Sequence, residues 1–360
     1  MWHDEVSEEC AADPGTAGES GPLFSILCAT HDQADFLPDM LSSVLNQTRE
    51  DWELVIVDDG STDGTGEVLR SWRAALPPRV RERITVVRTE QGGQSAAYEL
   101  GFERTRGQWI CLLDSDDAFQ PHKLETVAQA VCGRDDIGLV QHPLIVIDAA
   151  GRPTGEMRPQ AASLSSGDLR HEMRRDARHV APGASGLVVR RSVFERLVPF
   201  PTKAFRFAAD AYISFGATAL VPVLSLNHPL ALYRMQPGGQ YLRRMLDADG
   251  LAQQVTFQEV VAAHFGLSDA ARRNSFFCRN AYAADRLGGG HERWELLARL
   301  LRATAGDRHF SRSRKVVLMG IWTFSAMLPR PGFARLWRSF QMRQTGWRRI
   351  LATRSAGSAS

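Results

Sequence analysis

Four short apolar runs, FSILCAT (24–30), WELVIVDD (52–59), ITVVRT (84–89) and QWICLLD (108–114), mark the first part of the chain, and helix-like segments open near Asp35, Thr62, Gln94 and Pro121. Unbroken apolar runs of this length predict strands buried on both faces. Their alternation with helices predicts a mostly parallel central sheet with helices on both faces, and right-handed crossovers leave little topological choice. In such a sheet ligands bind beyond the carboxyl ends of the strands. Polar residues collect at those ends: Thr30, His31 and Asp32 after the first strand, Asp58 and Asp59 after the second, and Asp114, Ser115, Asp116 and Asp117 after the fourth.

Beyond this half the pattern changes. IGLVQHPLIVIDAAGRPTG predicts strand and hairpin with a turn at 151–153, and the polar residues 156–180 a mobile or helical excursion. ASGLVVRRSVFERL reads as strand then helix, AADAYISFGATAL as helix, and VPVLSLNHPLALYRM as a strand region. From Tyr241 onward only helical periodicity is visible, broken at Gly288–Gly290 and Pro329–Pro331. The organisation expected is a disordered acidic lead-in (1–21), an α/β domain (22–240, halves 22–117 and 118–240) and a helical basic C-terminal region (241–360).

At 360 residues and 44% hydrophobic the chain can bury a large core, which excludes disorder throughout. Its net charge of +2 hides an uneven distribution, because 301–354 hold twelve Lys or Arg against one acid, Asp307. The five cysteines are odd in number, widely spaced and mostly in apolar patterns, so neither a disulfide framework nor a zinc site is suggested, and a reducing cytoplasm fits best. The first residues lack the form of a signal peptide. No stretch reaches the about 18 apolar residues of a spanning helix; the nearest, VVLMGIWTFSAML (316–328), suits a buried or an interfacial helix.

CLLDSDDA (111–118) crowds three carboxylates into four residues directly after a buried strand. Hard divalent ions such as Mg2+ or Mn2+ take one or two protein carboxylates and complete their shell with substrate phosphates, and a D-x-D at a strand end supplies that partial site. A solvated turn is the simpler alternative, with Asp117 capping the helix that follows.

The ordered set T-x-[ND] at the first strand end, S-x-x-x-Q-T over Ser43–Thr48, VDDGSTD after the second strand, GGQSAAY at a helix start and LDSDD resembles the family 2 glycosyltransferases over about residues 23–235. The resemblance implies a GT-A fold, a nucleotide-diphosphate sugar donor, a saccharide or lipid-linked acceptor, a Mn2+ or Mg2+ ion, and work in cell-surface polysaccharide or glycoconjugate synthesis. It places Thr30 and Asp32 beside the nucleoside, Asp59 on the base, Asp114 and Ser115 near ribose and diphosphate, and Asp116 on the metal, with Asp114 beside it. Two departures stand out: His31-Asp32 replaces an aromatic residue and Asn, and Tyr98-Glu99 replaces Arg and Asn.

Inverting transfer requires a carboxylate that takes the acceptor hydroxyl's proton during attack. The family pattern, an acid at a helix start after a second-half strand, points to Asp210 in FAADAY; Asp176 and Glu195 match no motif. Tyr233 and Arg234 end a late strand where the family often carries Y-R, which suggests contact with diphosphate or acceptor; a surface salt bridge serves Arg234 as well. The basic tail, with Trp322, Trp337 and Trp347 among its cations, suits peripheral contact with the inner face of a membrane or, alternatively, solvated helix faces over buried indoles. No nucleic-acid motif accompanies the charge. A sugar-phosphate nucleotidyltransferase or a non-catalytic nucleotide-sugar-binding module are the competing functions, and the absence of G-x-G-x-x-G after the first strand argues against a dehydrogenase.

Overall fold

The computed structural model describes residues 21–201, 208–235 and 246–344. The expected lead-in and Trp347 lie outside them. The described residues divide between two compact units, one within Met1–Arg170 and His179–Arg234, the other within His171–Arg178 and Met235–Ser360.

The first unit opens as β1 (Phe24–Thr30), α1 (Leu37–Leu45), β2 (Trp52–Asp59), α2 (Thr65–Ala75), a one-turn α3 (Pro78–Arg81), β3 (Ile84–Thr89), α4 (Gln94–Phe102) and β4 (Trp109–Leu112). The chain continues through β5 (Ala118–Phe119), α5 (Lys123–Val131), β6 (Leu139–Gln141), β7 (Leu144–Ile147), β8 (Pro153–Arg158), α6 (Arg170–Asp176), β9 (Leu187–Arg190), α7 (Arg191–Leu197), α8 (Ala209–Leu220), β10 (Val223–Ser225) and β11 (Ala231–Arg234); of these, α6 from His171 on belongs to the second unit. The first three strands fall where the apolar runs place them. The fourth is shorter than QWICLLD because the Asp114 N–H leaves the ladder and donates to Ser185 Oγ at 3.0 Å.

Seven strands form one sheet in the order β10-β6-β9-β4-β1-β2-β3. β1 runs parallel to β2 and to β4, and β2 parallel to β3, so their carboxyl ends share one edge; β9 alone is antiparallel to its neighbours β4 and β6. Ile26, Cys28, Leu54, Ile56, Cys111 and Leu113 are buried in the core against α1 residues Leu37, Met40 and Val44. A four-stranded sheet, β5-β11-β7-β8, carries the expected hairpin and brings the end of β11 to the turn after β4.

The second unit is helical: α9 (Ala248–His264), α10 (Ser268–Arg272), α11 (Ser275–Gly288), α12 (Arg293–Gly306), α13 (Arg312–Met327) and α14 (Arg330–Gln344). Asn274 caps α11 by accepting from the Phe276 and Phe277 N–H groups, and Gly289, at φ +80, ends it. Trp322 and Trp337 are buried with Tyr282 and Phe333. These two indoles are core residues, which removes them as membrane anchors. Among the described residues no helix is long and apolar enough to cross a membrane. Cys28, Cys111 and Cys278 are buried free thiols.

Candidate active site

At the ends of β1 and β2 the carboxylates are satisfied by backbone. Asp59 is buried and accepts from the Gly92 N–H at 2.7 Å through one oxygen and from the Gly93 N–H at 2.8 Å through the other. Asp58 accepts from the Ser61 N–H at 2.9 Å. Asp32, at φ +51, accepts from the Thr62 and Asp63 N–H groups at 2.7 and 3.2 Å, and the Thr62 bond holds its carboxyl below the usual range. His31 bridges the Asp59 carbonyl (2.8 Å) and the Gln91 side chain (2.9 Å). Gly60, at φ +71, makes this closeness feasible: a Cβ there would stand 2.8 Å from the Gln91 nitrogen. The VDDGSTD loop, His31-Asp32 and the Gly92–Gly93 turn are therefore one laced unit. Within it Thr30 Oγ1 is buried with no hydrogen-bond partner.

The end of β4 is different. Asp114 and Asp116 are half-buried, and Ser115 and Asp117 are buried. Burial, then the charges of Asp116 and Asp210, push the Asp114 carboxyl well above its usual range, against hydrogen bonds from Tyr98 and Gln94. Burial and the neighbouring Asp116 and Asp114 raise Asp117 in the same way. Asp117 does not cap the next helix: its Oδ1 accepts from the Arg234 N–H at 2.8 Å, and α5 begins after His122. That replaces the expected cap by a tie between the two sheets.

Arg234 is buried and committed within the protein. Nη2 donates to Asp39 at 2.6 Å, Nε to the Asp116 carbonyl at 2.9 Å and Nη1 to the Ala149 carbonyl at 3.2 Å. Its partner Asp39 is exposed, so the expected salt bridge is present and reaches the surface from a buried guanidinium. Tyr233 lies near the cluster, and burial followed by the charges of Asp117, Asp116 and Asp114 raises its phenol. The S-x-x-x-Q-T motif fixes the same turn from behind. Ser43 Oγ accepts from the Phe119 N–H at 3.0 Å, and Gln47 donates to the Gln120 carbonyl at 2.8 Å.

Asp210 sits in the first turn of α8, after Ala208 at φ +66. Burial raises its pKa, moderated by the N–H groups of Ala211, Asp210 and Ala184. Its charge reaches Asp114, so residues 96 apart in sequence share one electrostatic site. Sequence reasoning missed the group that connects them. Gln94 donates through Nε2 to Asp114 at 3.3 Å and accepts through Oε1 from the Ala209 N–H at 3.2 Å, while the Tyr98 hydroxyl stands 3.5 Å from the same Asp114 oxygen. The GGQSAAY helix start was the available signal. Ser185, which takes the Asp114 N–H, also lends its carbonyl to the buried Lys123 Nζ at 2.8 Å, and burial lowers Lys123 to about 7.

Among the described residues no group of three or more His, Cys, Asp or Glu gathers as a complete metal cage. Asp114 and Asp116 form a two-carboxylate set whose charges repel in a half-buried setting. That donor chemistry fits a hard divalent ion completed by phosphate oxygens and water.

A carboxylate cluster stands beyond the parallel strand ends of a GT-A-type sheet, beside the start of α4. Residues 25–198 match the family described as Glycosyl transferase family 2. An uncharacterized glycosyltransferase of Nostoc sp. is 29% identical over 219 residues, 61% of this chain and 66% of the relative. The minor teichoic acid biosynthesis protein GgaA of Bacillus subtilis is 31% identical over 127 residues, 34% of this chain and 28% of the relative. The chain thus spans less than two thirds of either. In fold it is similar to S. aureus TarS 1–349 in complex with UDP, with a TM-score of 0.50 and 16% identity over 90% of this chain and 91% of that one.

Proposed function

We propose that the protein is an inverting, divalent-metal-dependent glycosyltransferase that moves a sugar from a nucleotide-diphosphate donor to a saccharide or lipid-linked acceptor in cell-surface polysaccharide synthesis. The observation that carries this reading is the convergence of Asp210 with Asp114 and Asp116 at one strand edge, where burial raises the Asp114 and Asp210 carboxyls and the charges of Asp116 and Asp210 raise Asp114 further. A carboxylate whose pKa is raised is a stronger base for taking an alcohol's proton. The name of the GgaA relative supports the polymer class.

In this mechanism Asp210 accepts the proton of the acceptor hydroxyl as that oxygen bonds to the anomeric carbon and the carbon–oxygen bond to the diphosphate breaks, its electrons leaving with the nucleotide. Asp114 and Asp116 hold Mn2+ or Mg2+, which when bound offsets charge on the leaving diphosphate. Thr30, whose Oγ1 lacks a protein partner, borders the nucleoside with Asp32. Asp59 uses its remaining lone pairs for the base and Ser115 lies by the ribose. Arg234 acts by positioning the Asp116–Asp117 turn, and Tyr233 flanks the acceptor side. Asp210→Asn should retain donor binding, measured as the thermal shift with nucleotide sugar and Mn2+, and lose about 100-fold or more in transfer; near-normal transfer would remove Asp210 from the mechanism.

Peripheral membrane contact belongs to this reading through a different element from the indoles. Val316, Val317, Phe324 and Met327 of α13 are exposed, beside Arg312, Arg314 and Lys315. An apolar strip flanked by cations suits an anionic interface. Flotation with phosphatidylglycerol vesicles should fall for Val316→Ser combined with Phe324→Ser, and unchanged flotation would eliminate the contact.

A further inference from the structure

The second unit contains a cavity of about 390 Å3 whose wall includes Arg175, Arg178, Arg272, Arg273, Arg299 and Arg302. Only two acids line it, Asp176 and Asp307, which makes the lining four charges positive by six minus two. Both acids are already engaged. Asp176 accepts from Arg175, and Asp307 accepts from Arg178, from Ser275 Oγ and from the His309 N–H. Arg273 and Arg302 donate to the backbone carbonyls of Arg175, Arg174 and Ala298, and neither has a carboxylate partner among the described residues. The remaining positive charge is not neutralised by the cavity's own wall.

Two further observations give this cavity the character of a built site. Arg178 is nine-tenths buried, held between the rings of Phe276 and Phe310 with its carbon 4.8 and 5.2 Å from their centroids. Its Nε is buried with no hydrogen-bond partner. The cavity also receives Asn274 and Ser275, the first residues of the fourteen-residue helix α11. A helix amino terminus adds positive potential to the guanidinium groups. Arg272 and Arg299 also pair outside the wall, with Asp269 at 3.7 Å and Glu295 at 3.0 Å, which leaves Arg273 and Arg302 as the cations with no carboxylate partner among the described residues; guanidinium forks match phosphate oxygens in geometry as well as charge.

We infer that this arginine-lined cavity binds a phosphate-bearing anion at a site separate from the Asp114–Asp116 cluster. The ligand class is a phosphate monoester, diester or diphosphate, either part of a soluble or polymeric substrate or the headgroup of an anionic lipid. The inference needs neither Asp210 nor any transfer step.

The test measures equilibrium dialysis of labelled pyrophosphate against the full chain in EDTA, which withholds the divalent ion needed at the carboxylate cluster. Wild type should bind, with affinity falling as salt rises. Arg272→Gln, Arg299→Gln and Arg302→Gln together should lose about tenfold or more in affinity, while the thermal shift with UDP and Mn2+ is unchanged. The Arg178–Asp307 pair is left intact in this variant. Should the triple variant not fold, as judged by its melting transition, the corresponding triple Lys variant is used, and it should bind pyrophosphate at least severalfold more weakly than wild type. Absence of wild-type binding, or equal binding by the variants, overturns the inference. The source is separated by flotation: loss of phosphatidylglycerol-vesicle binding in the triple variant, with α13 unaltered, identifies a headgroup, whereas retained flotation with lost pyrophosphate binding identifies a soluble or polymer phosphate.

Discussion

The β2 and β4 strand ends carry similar residues, VDDGS and LDSDD, on the same edge of one sheet, yet their electrostatics are opposite. Asp59 meets two backbone N–H groups at 2.7 and 2.8 Å, and Asp32 meets two more, so their negative charge is already matched by protein donors. Asp114 has only long side-chain bonds, 3.3 and 3.5 Å, and is surrounded by Asp116 and Asp210. One strand end is therefore complete as folded. The other is a set of charges that repel one another as folded, which is what the proposed cation and diphosphate would relieve. Carboxylate identity alone does not mark a catalytic position; the supply of donors around it does.

The strongest break of this comparison is Asp116→Asn. It should abolish the Mn2+-dependent part of donor affinity and reduce transfer about 100-fold or more, read by titration with and without metal. Metal-independent donor binding of wild-type strength would overturn the assignment. Asp59→Asn should act on stability instead. It presents an amide to two N–H donors, leaving at least one poorly paired, and should cost about 2 to 3 kcal/mol in denaturant unfolding even without metal. Asp114→Asn should by contrast leave the metal-free protein as stable as wild type or more so, because it removes a charge that burial disfavours.

The dependence on pH sharpens the same contrast. Asp114, Asp117 and Asp210 have folded pKa values raised above their ordinary 3.8. The unfolded chain releases these protons first, so the stability of the protonated forms is present at low pH and is lost as pH rises through the raised values. Metal-free melting temperature should therefore fall across that window, and Mn2+ should offset the fall. A flat profile, or one indifferent to Mn2+, would mean that the cluster is not under strain. The smallest effect expected is that of Gln94→Leu, which removes the bridge from Asp114 to the start of α8. It should lower kcat about tenfold with little change in donor affinity.

Much of the fold was legible because a strand buried on both faces must be continuously apolar, and FSILCAT and WELVIVDD coincide with β1 and β2; ITVVRT coincides with β3, but as an edge strand it is only partly buried, with Thr85 and Arg88 exposed. The carboxylates of the site were legible for a related reason: polar residues that end such strands have only the edge of the sheet to occupy. Legibility stopped where partners come from distant sequence. Asp117 was expected to cap a helix and instead receives the Arg234 N–H from 117 residues away. Arg234 itself, a strand-end cation in the sequence, is spent on Asp39 and two carbonyls. The tail's tryptophans were visible among its cations, but helix packing sent Trp322 and Trp337 to the core, and it gathered Arg175 and Arg178 with four arginines of the C-terminal region around one cavity.

The sequence by itself determined the alternation of strands and helices, the edge on which polar chemistry gathers, and the types of residue available there, because burial and backbone periodicity act locally. Only the tertiary structure decided which carboxylates are neutralised and which repel, and which cations are paired. Those properties depend on donors and charges a few ångströms apart in space but tens to more than a hundred residues apart along the chain.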